Sequence, residues 1–237
     1  MRMGILQTGR TPEQLIGQFG DYDQLFSALL DGGDFNCTTY KVVDGQFPVA
    51  LDAADGWLIT GSKSGVNDGQ PWIARLEALV REIFESEKPL IGICFGHQLV
   101  AKALGGTVER SSGGWIVGPT AYLRNDLGLT QTLLAWHQDQ VTRLPTDAAV
   151  LASSEDCAYS ILRYGERALT YQAHPEFGAA FIKGLVKFRG AELPAPLKKH
   201  ANSADDAMIC RKAIRAEIRS FLLRQSDGWR RQGEELP

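Results

Sequence analysis

The sequence predicts an α/β protein with an open, mainly parallel sheet covered by helices on both faces. Three observations carry this. Short apolar runs alternate with helical patterns along the first half of the chain. One of the runs, Leu90 to Ile93, is LIGI, with no polar position, as expected of a strand buried on both sides. The chain has 237 residues, 44% of them apolar and 22% charged, enough to bury a full core.

The elements follow in order. Met3 to Gln7 is a compact strand, followed by a loop from Gly9 and a helix from Tyr22 to Leu30 that Asp31-Gly32-Gly33 ends. Cys37 to Val43 has β-branched strand content, and Trp57 to Thr60 is a short strand ending at Gly61. Pro71 opens an amphipathic helix with Trp72, Ile73, Leu76, Leu79, Val80, Ile83 and Phe84 on one face. Leu90 to Ile93 is strand and His97 to Leu104 helix, stopped by Gly105-Gly106.

Beyond Gly113 the pattern changes to strands joined by turns: Thr120 to Arg124, Thr132 to Trp136, Ala149 to Ser153, Ala158 to Tyr164 and Ala168 to Ala173. Gly165 marks a hairpin between the last two. Ala179 to Phe188 and Ala204 to Arg224 are helical, with a linker around Pro194 and Pro196 and a frayed final ten residues. The expectation is a single domain with a core over residues 3–190 and a helical extension over 191–237, its stripe of Ile214, Ile218, Phe221 and Leu222 packed inward.

Net charge is −3, from 25 basic and 28 acidic residues, so bulk electrostatics favour neither nucleic acid nor an anionic membrane. No apolar run is long enough for a membrane span, and the first ten residues lack the build of a secretion signal. Four widely spaced cysteines form no CxxC pair, against a zinc cage or disulfide framework. A cytoplasmic protein with no metal and no cofactor is expected.

The informative segment is Gly92-Ile93-Cys94-Phe95-Gly96, set between a strand and a helix. A nucleophile on so tight a turn crowds the residues two positions either side, and glycines remove the clash. The turn lifts the Cys94 sulfur to the carboxyl edge of the sheet, at a helix N-terminus that favours thiolate. Cys37, Cys157 and Cys210 lack this context and read as packed structural residues.

A nucleophilic cysteine needs a base. His174 ends an apolar strand, and Pro175 keeps it extended. In extended chain, residues i and i+2 share a side, so Glu176 can reach the imidazole. The triad reading follows: Cys94 attacks, His174 shuttles the proton, and Glu176 fixes the tautomer.

With these residues in place, the chain resembles the class I (triad) glutamine amidotransferases, and more narrowly the stand-alone group similar to the amidotransferase domain of GMP synthase. Gly92, Cys94, Gly96 and Gln98 meet the family's G-x-C-x-G-x-Q motif; His174, Pro175 and Glu176 meet its H-P-E motif. Trp136-His137-Gln138-Asp139 is similar to its W-H-G-D segment, with Gln138 where glycine is usual. The resemblance implies a flavodoxin-like, seven-stranded sheet. It implies an oxyanion hole from the N–H groups of Gly61 and Phe95, although Thr60-Gly61-Ser62-Lys63-Ser64 departs from the family's G-G-P-x-S. It also implies substrate binding by Gln98, Gln138 and Asp139.

The activity so implied is hydrolysis of the γ-amide of glutamine to glutamate and ammonia, with the ammonia passed to a separate synthetase subunit, since neither an ATP-pyrophosphatase loop nor a P-loop occurs in the sequence. The rival is a γ-glutamyl peptide hydrolase using the same triad on glutathione-like substrates. A partner-gated or non-catalytic binding subunit is the third reading, and a homodimer is left open. The loops Ser62 to Gln70 and Ser111 to Gly118, with Trp115 as wall or lid, are where leaving-group choice is expected.

Overall fold

The computed structural model describes residues 1–233. Its strands are β1 (Arg2–Leu6), β2 (Asn36–Tyr40), β3 (Gly56–Ile59), β4 (Leu90–Ile93), β5 (Thr107–Arg110), β6 (Ile116–Arg124), β7 (Leu129–His137), β8 (Asp139–Arg143), β9 (Ala149–Ser153), β10 (Ile161–Tyr164) and β11 (Ala168–Tyr171). Its helices are α1 (Glu13–Phe19), α2 (Tyr22–Leu30), α3 (Pro71–Glu85), α4 (Phe95–Ala103), α5 (Ala179–Arg189), α6 (Ala195–Asn202) and α7 (Arg211–Gly233).

Nine strands form one open sheet in the order β2-β1-β3-β4-β11-β10-β9-β6-β7, and β5 pairs with β8 in a small sheet of its own. The first five are mutually parallel. From β11 outward the pairing is antiparallel. The sheet therefore exceeds the seven strands that the family resemblance implied. The excess lies in the antiparallel wing, where β6 and β7 run in unbroken register from Ile116 opposite His137 to Arg124 opposite Leu129.

The parallel strands are buried at every position of β3, β4 and β11, because helices cover both faces. Met3, Ile5, Leu58, Ile91, Ile93, Leu169 and Tyr171 join the core under α1, α2, α5 and α7. Their neighbours Leu6, Trp57, Ile59, Leu90 and Ala168 join the core under α3 and α4. In α3, Pro71 occupies the first turn, where its missing N–H costs nothing, and Ile73, Leu76, Val80 and Ile83 are buried. Each such side chain stabilises by about 1.5–3 kcal/mol relative to exposure.

The C-terminal segment differs from the sequence reading. The expected linker holds α6, because Pro194 and Pro196 sit at its start rather than interrupting it. The helix expected from Ala204 begins only at Arg211. Residues before it are spent elsewhere: the Asp206 carboxylate accepts from the Ala179 N–H, and the Cys210 N–H donates to Thr132. The stripe of Ile214, Ile218, Phe221 and Leu222 is buried against the sheet core. Arg124, only 1% exposed, donates to Asp126, Gln131 and Glu217, which ties α7 to β6. The frayed end expected for the last ten residues lies partly in α7, and residues 234–237 lie outside the described residues. Among the described residues no helix is long and apolar enough to cross a membrane.

Candidate active site

The carboxyl ends of β3, β4 and β11 lie side by side, which brings Gly61, Cys94 and His174 to one edge of the sheet. Between β4 and α4 the chain has a single residue, Cys94, with φ 51° and ψ −100°. A non-glycine backbone there costs on the order of 1–3 kcal/mol and persists only where its surroundings impose it. Here the Cys94 N–H donates to Tyr171 at 2.8 Å and its carbonyl accepts from the Gln98 N–H at 3.0 Å. A methyl group on Gly92 would lie 2.7 Å from the Gly96 carbonyl oxygen, and one on Gly96 would lie 2.5 Å from that of Ile59. Both glycines are therefore steric requirements of the turn.

His174 is fixed from three sides. Its N–H donates to the Leu134 carbonyl at 2.9 Å, so strand β7 of the wing holds the backbone. The ring stacks on Phe177, with centroids 4.1 Å apart and planes 2° from parallel. Its Nδ1 lies 2.7 Å from Glu176 Oε1, both residues buried. With the Nδ1 proton donated to the carboxylate, Nε2 is the atom left for chemistry, and among the described residues it has no partner. Burial works against the imidazolium, but Glu176 and Cys94 outweigh it and raise the His174 pKa to about 10. Arg211, the first residue of α7, donates to the carbonyls of Pro175 at 3.2 Å and Glu176 at 3.3 Å, bracing the turn.

Gly61 borders the pair: a Cβ there would lie 3.1 Å from His174 Cε1 and 3.8 Å from Cys94 Cβ. Its carbonyl lies 2.9 Å from the Thr8 hydroxyl, which fixes the peptide orientation. Among the described residues no hydrogen bond engages the N–H of Gly61 or Phe95.

The remaining site residues separate into two kinds. Gln98 is buried, and its amide donates to the Asp139 carbonyl at 2.7 Å and to Gln172 Oε1 at 3.2 Å. His137 Nδ1 bonds the same carbonyl at 3.1 Å. One donor of the Gln98 amide thus holds the Asp139 backbone and the other holds Gln172 just beyond β11, which makes Gln98 a support for both segments as much as a surface for a ligand. The Asp139 carboxylate stands 4.0 Å from Arg110 Nε. Gln138 is half-buried in the wall, and its carbonyl accepts from the Ser111 N–H. His97 lies fully buried on the first turn of α4, with Nδ1 2.8 Å from Thr170 Oγ1. Burial pushes His97 down to about 3 and His137 to about 4, so both stay neutral at pH 7.

A cavity of about 490 Å³ opens over this edge. Cys94, Phe95, Gln98, Gln138, Asp139 and His174 line it; Gly61 and Glu176 stand behind that lining. Trp115 is part of the wall, with its ring 6.1 Å from that of Trp136. The lining also includes Tyr22 and Arg189, which sequence reasoning missed together with Arg211. They lie on helix faces where polar residues look merely solvated.

The family model of class I glutamine amidotransferases matches residues 31–181. The chain belongs to that family. Among relatives of this amidotransferase, γ-glutamyl peptidase 5 of Arabidopsis thaliana is 31% identical over 182 residues, 71% of this chain and 72% of the relative. A glutamine-hydrolyzing GMP synthase subunit of Archaeoglobus fulgidus is 32% identical over 186 residues, 73% of this chain and 96% of the relative. A solved glutamine amidotransferase structure from Thermotoga maritima superposes with a TM-score of 0.74 at 23% identity, covering 95% of this chain and 97% of the other, and shows the shared fold.

Proposed function

We propose that this amidotransferase hydrolyses γ-glutamyl amide bonds through a Cys94 thioester, with His174 as proton shuttle and Glu176 as its orienting carboxylate. The observation that supports this most is the elbow itself. Cys94 is held at positive φ on the cavity floor beside an imidazole whose other nitrogen is fixed by a buried carboxylate at 2.7 Å. Family membership and relatives named for glutamine hydrolysis and γ-glutamyl peptide cleavage point the same way.

In this reading the Cys94 S–H proton passes to Nε2 of His174, and the resulting thiolate attacks the γ-carbonyl carbon, the π pair moving to oxygen as the C–S bond forms. The N–H groups of Gly61 and Phe95 receive the oxyanion, and each such donor is worth on the order of 100- to 1,000-fold in rate. As the C–N bond breaks, imidazolium Nε2 of His174 gives its proton to the departing nitrogen. Nε2 then takes a proton from water, the C–O bond forms, and the C–S bond breaks to release the γ-carboxyl product. The zwitterionic head of a γ-glutamyl group is complementary to the Asp139–Arg110 pair, carboxylate to ammonium and guanidinium to carboxylate.

The test is an equimolar mixture of glutamine and glutathione given to the purified protein and followed by mass spectrometry, with Cys94→Ala as control. Consumption of either donor that vanishes in the variant is the expected result. Consumption of neither overturns the reading in favour of a non-catalytic binding role. Loss of glutamine alone assigns the ammonia to a separate acceptor, the role suggested by kinship with part of a synthase.

A further inference from the structure

Arg189 lines the catalytic cavity with no acidic partner. Its Nη2 donates to the Arg10 carbonyl at 3.0 Å, and among the described residues no carboxylate lies within ion-pair distance. By contrast, Arg110 on the same cavity has Asp139. Arg189 stands in the last turn of α5, where the helix dipole favours a cation. The dipole accounts for a basic residue at that position, but not for a half-buried guanidinium turned into the cavity.

Its neighbour there is Tyr22, at the first position of α2, held by the Asp21 cap whose carboxylate accepts the Tyr22 N–H. Tyr22 is buried and also lines the cavity, with its ring 6.4 Å from Phe177. Burial and the negative charges of Glu176 and Cys94 raise the phenol pKa, while Arg189 counteracts them, so the hydroxyl is neutral and faces the guanidinium. Phe177 in turn stacks on His174. A contiguous path therefore runs His174, Phe177, Tyr22, Arg189.

That path decides which part of a substrate Arg189 meets. His174 must hand its proton to the departing amine, so the amine lies on the His174 side of the scissile bond. The γ-glutamyl head has its charge complement at Asp139 and Arg110. The Arg189 wall is left for the leaving group, and an unpaired guanidinium beside a neutral hydroxyl selects a carboxylate.

Resting on the γ-glutamyl hydrolase reading above, we propose that Arg189 and Tyr22 form a leaving-group carboxylate subsite. The preferred substrates are then γ-glutamyl amino acids or short peptides with a free C-terminal carboxylate, rather than glutamine, whose departing ammonia carries no anion. A cavity of about 490 Å³ suits a ligand of that size, since pockets for drug-sized molecules span ~300–1,000 Å³.

The experiment compares kcat/KM for glutathione and γ-glutamylcysteine, each with its C-terminus free or amidated, together with glutamine, in wild type, Arg189→Gln and Tyr22→Phe. Wild type is expected to prefer at least one free acid over its amide by about 10- to 100-fold, the range of one charge-assisted hydrogen bond. Arg189→Gln should bring that acid-to-amide ratio to about one, and Tyr22→Phe should reduce it partway. Because the readout is a ratio within one protein preparation, a partial loss of folded protein does not mimic the result. Equal wild-type turnover of acid and amide overturns the subsite. So does an equal loss by Arg189→Gln on acid, amide and glutamine, which would assign the guanidinium to the γ-glutamyl head. Turnover of glutamine with no peptide cleaved overturns the subsite but leaves the hydrolase reading standing; turnover of nothing removes both.

Discussion

His174 Nδ1 and Glu176 Oε1 meet at 2.7 Å inside the protein, two residues apart across a turn at Pro175 rather than along the extended segment the sequence suggested; the Phe177 N–H closes the turn onto the His174 carbonyl. The pairing fixes which imidazole nitrogen is free, and together with Cys94 it holds the imidazolium up to about pH 10. Replacing Glu176 with Gln removes a charge that raises the His174 pKa. The alkaline limb of the kcat/KM profile should move to lower pH, and activity at neutral pH should fall by about 100-fold or more. An unmoved limb would show that Glu176 does not govern the shuttle.

The same linkage has a sign for stability. A His174 pKa raised from 6.5 to about 10 on folding contributes stability that is complete below pH 6.5 and lost as pH climbs toward 10. Wild-type Tm should therefore decline over that window, and the decline should be shallower in Glu176→Gln. Parallel Tm curves for the two proteins would contradict this.

The left-handed backbone at Cys94 is strained for any residue with a Cβ. Glycine adopts that conformation freely, so Cys94→Gly should be more stable than Cys94→Ala by about 1 kcal/mol, the reverse of the usual glycine-alanine order. Both should be inactive. Chemical denaturation of the two variants decides it.

Gly61 tests the crowding of the site. A methyl 3.1 Å from His174 Cε1 must displace the ring, so Gly61→Ala should lose about 100-fold in kcat with little change in Tm. A variant of full activity would show that the Gly61 peptide takes no part in the reaction.

Arg211 acts on the His174-Pro175-Glu176 turn through two carbonyls. Arg211→Ala should cost about 1–2 kcal/mol of stability and lower kcat more than it changes KM, because the turn it braces orients the shuttle rather than the ligand. An effect on KM alone would give Arg211 a different role.

The features legible in sequence were local ones. The elbow glycines, the i, i+2 relation of His174 and Glu176, and the stripe of α3 each depend on a few neighbouring residues. Helix α1 is only seven residues long with Leu15 alone buried, too short for a periodic signal, and α6 was hidden by the prolines that open it. Strands β5 and β8 are four and five residues long, half-exposed, and pair only with each other across the intervening hairpin. Tyr22, Arg189 and Arg211 converge from α2, α5 and α7, and nothing in the spacing of those residues announces a meeting that packing alone creates. Gln98 illustrates the converse: the motif marked the residue, but its amide donors are turned to the Asp139 carbonyl and to Gln172.

The proposed hydrolysis turns on acylation of Cys94 during turnover. The direct measurement is acid quenching of the protein within its first turnovers on glutamine and on glutathione, followed by intact and peptide mass spectrometry. The expected result is one γ-glutamyl group per chain, located on the peptide containing Cys94, identical from both donors and absent in Cys94→Ala. Turnover that proceeds in Cys94→Ala, or an adduct found on another residue, would contradict it.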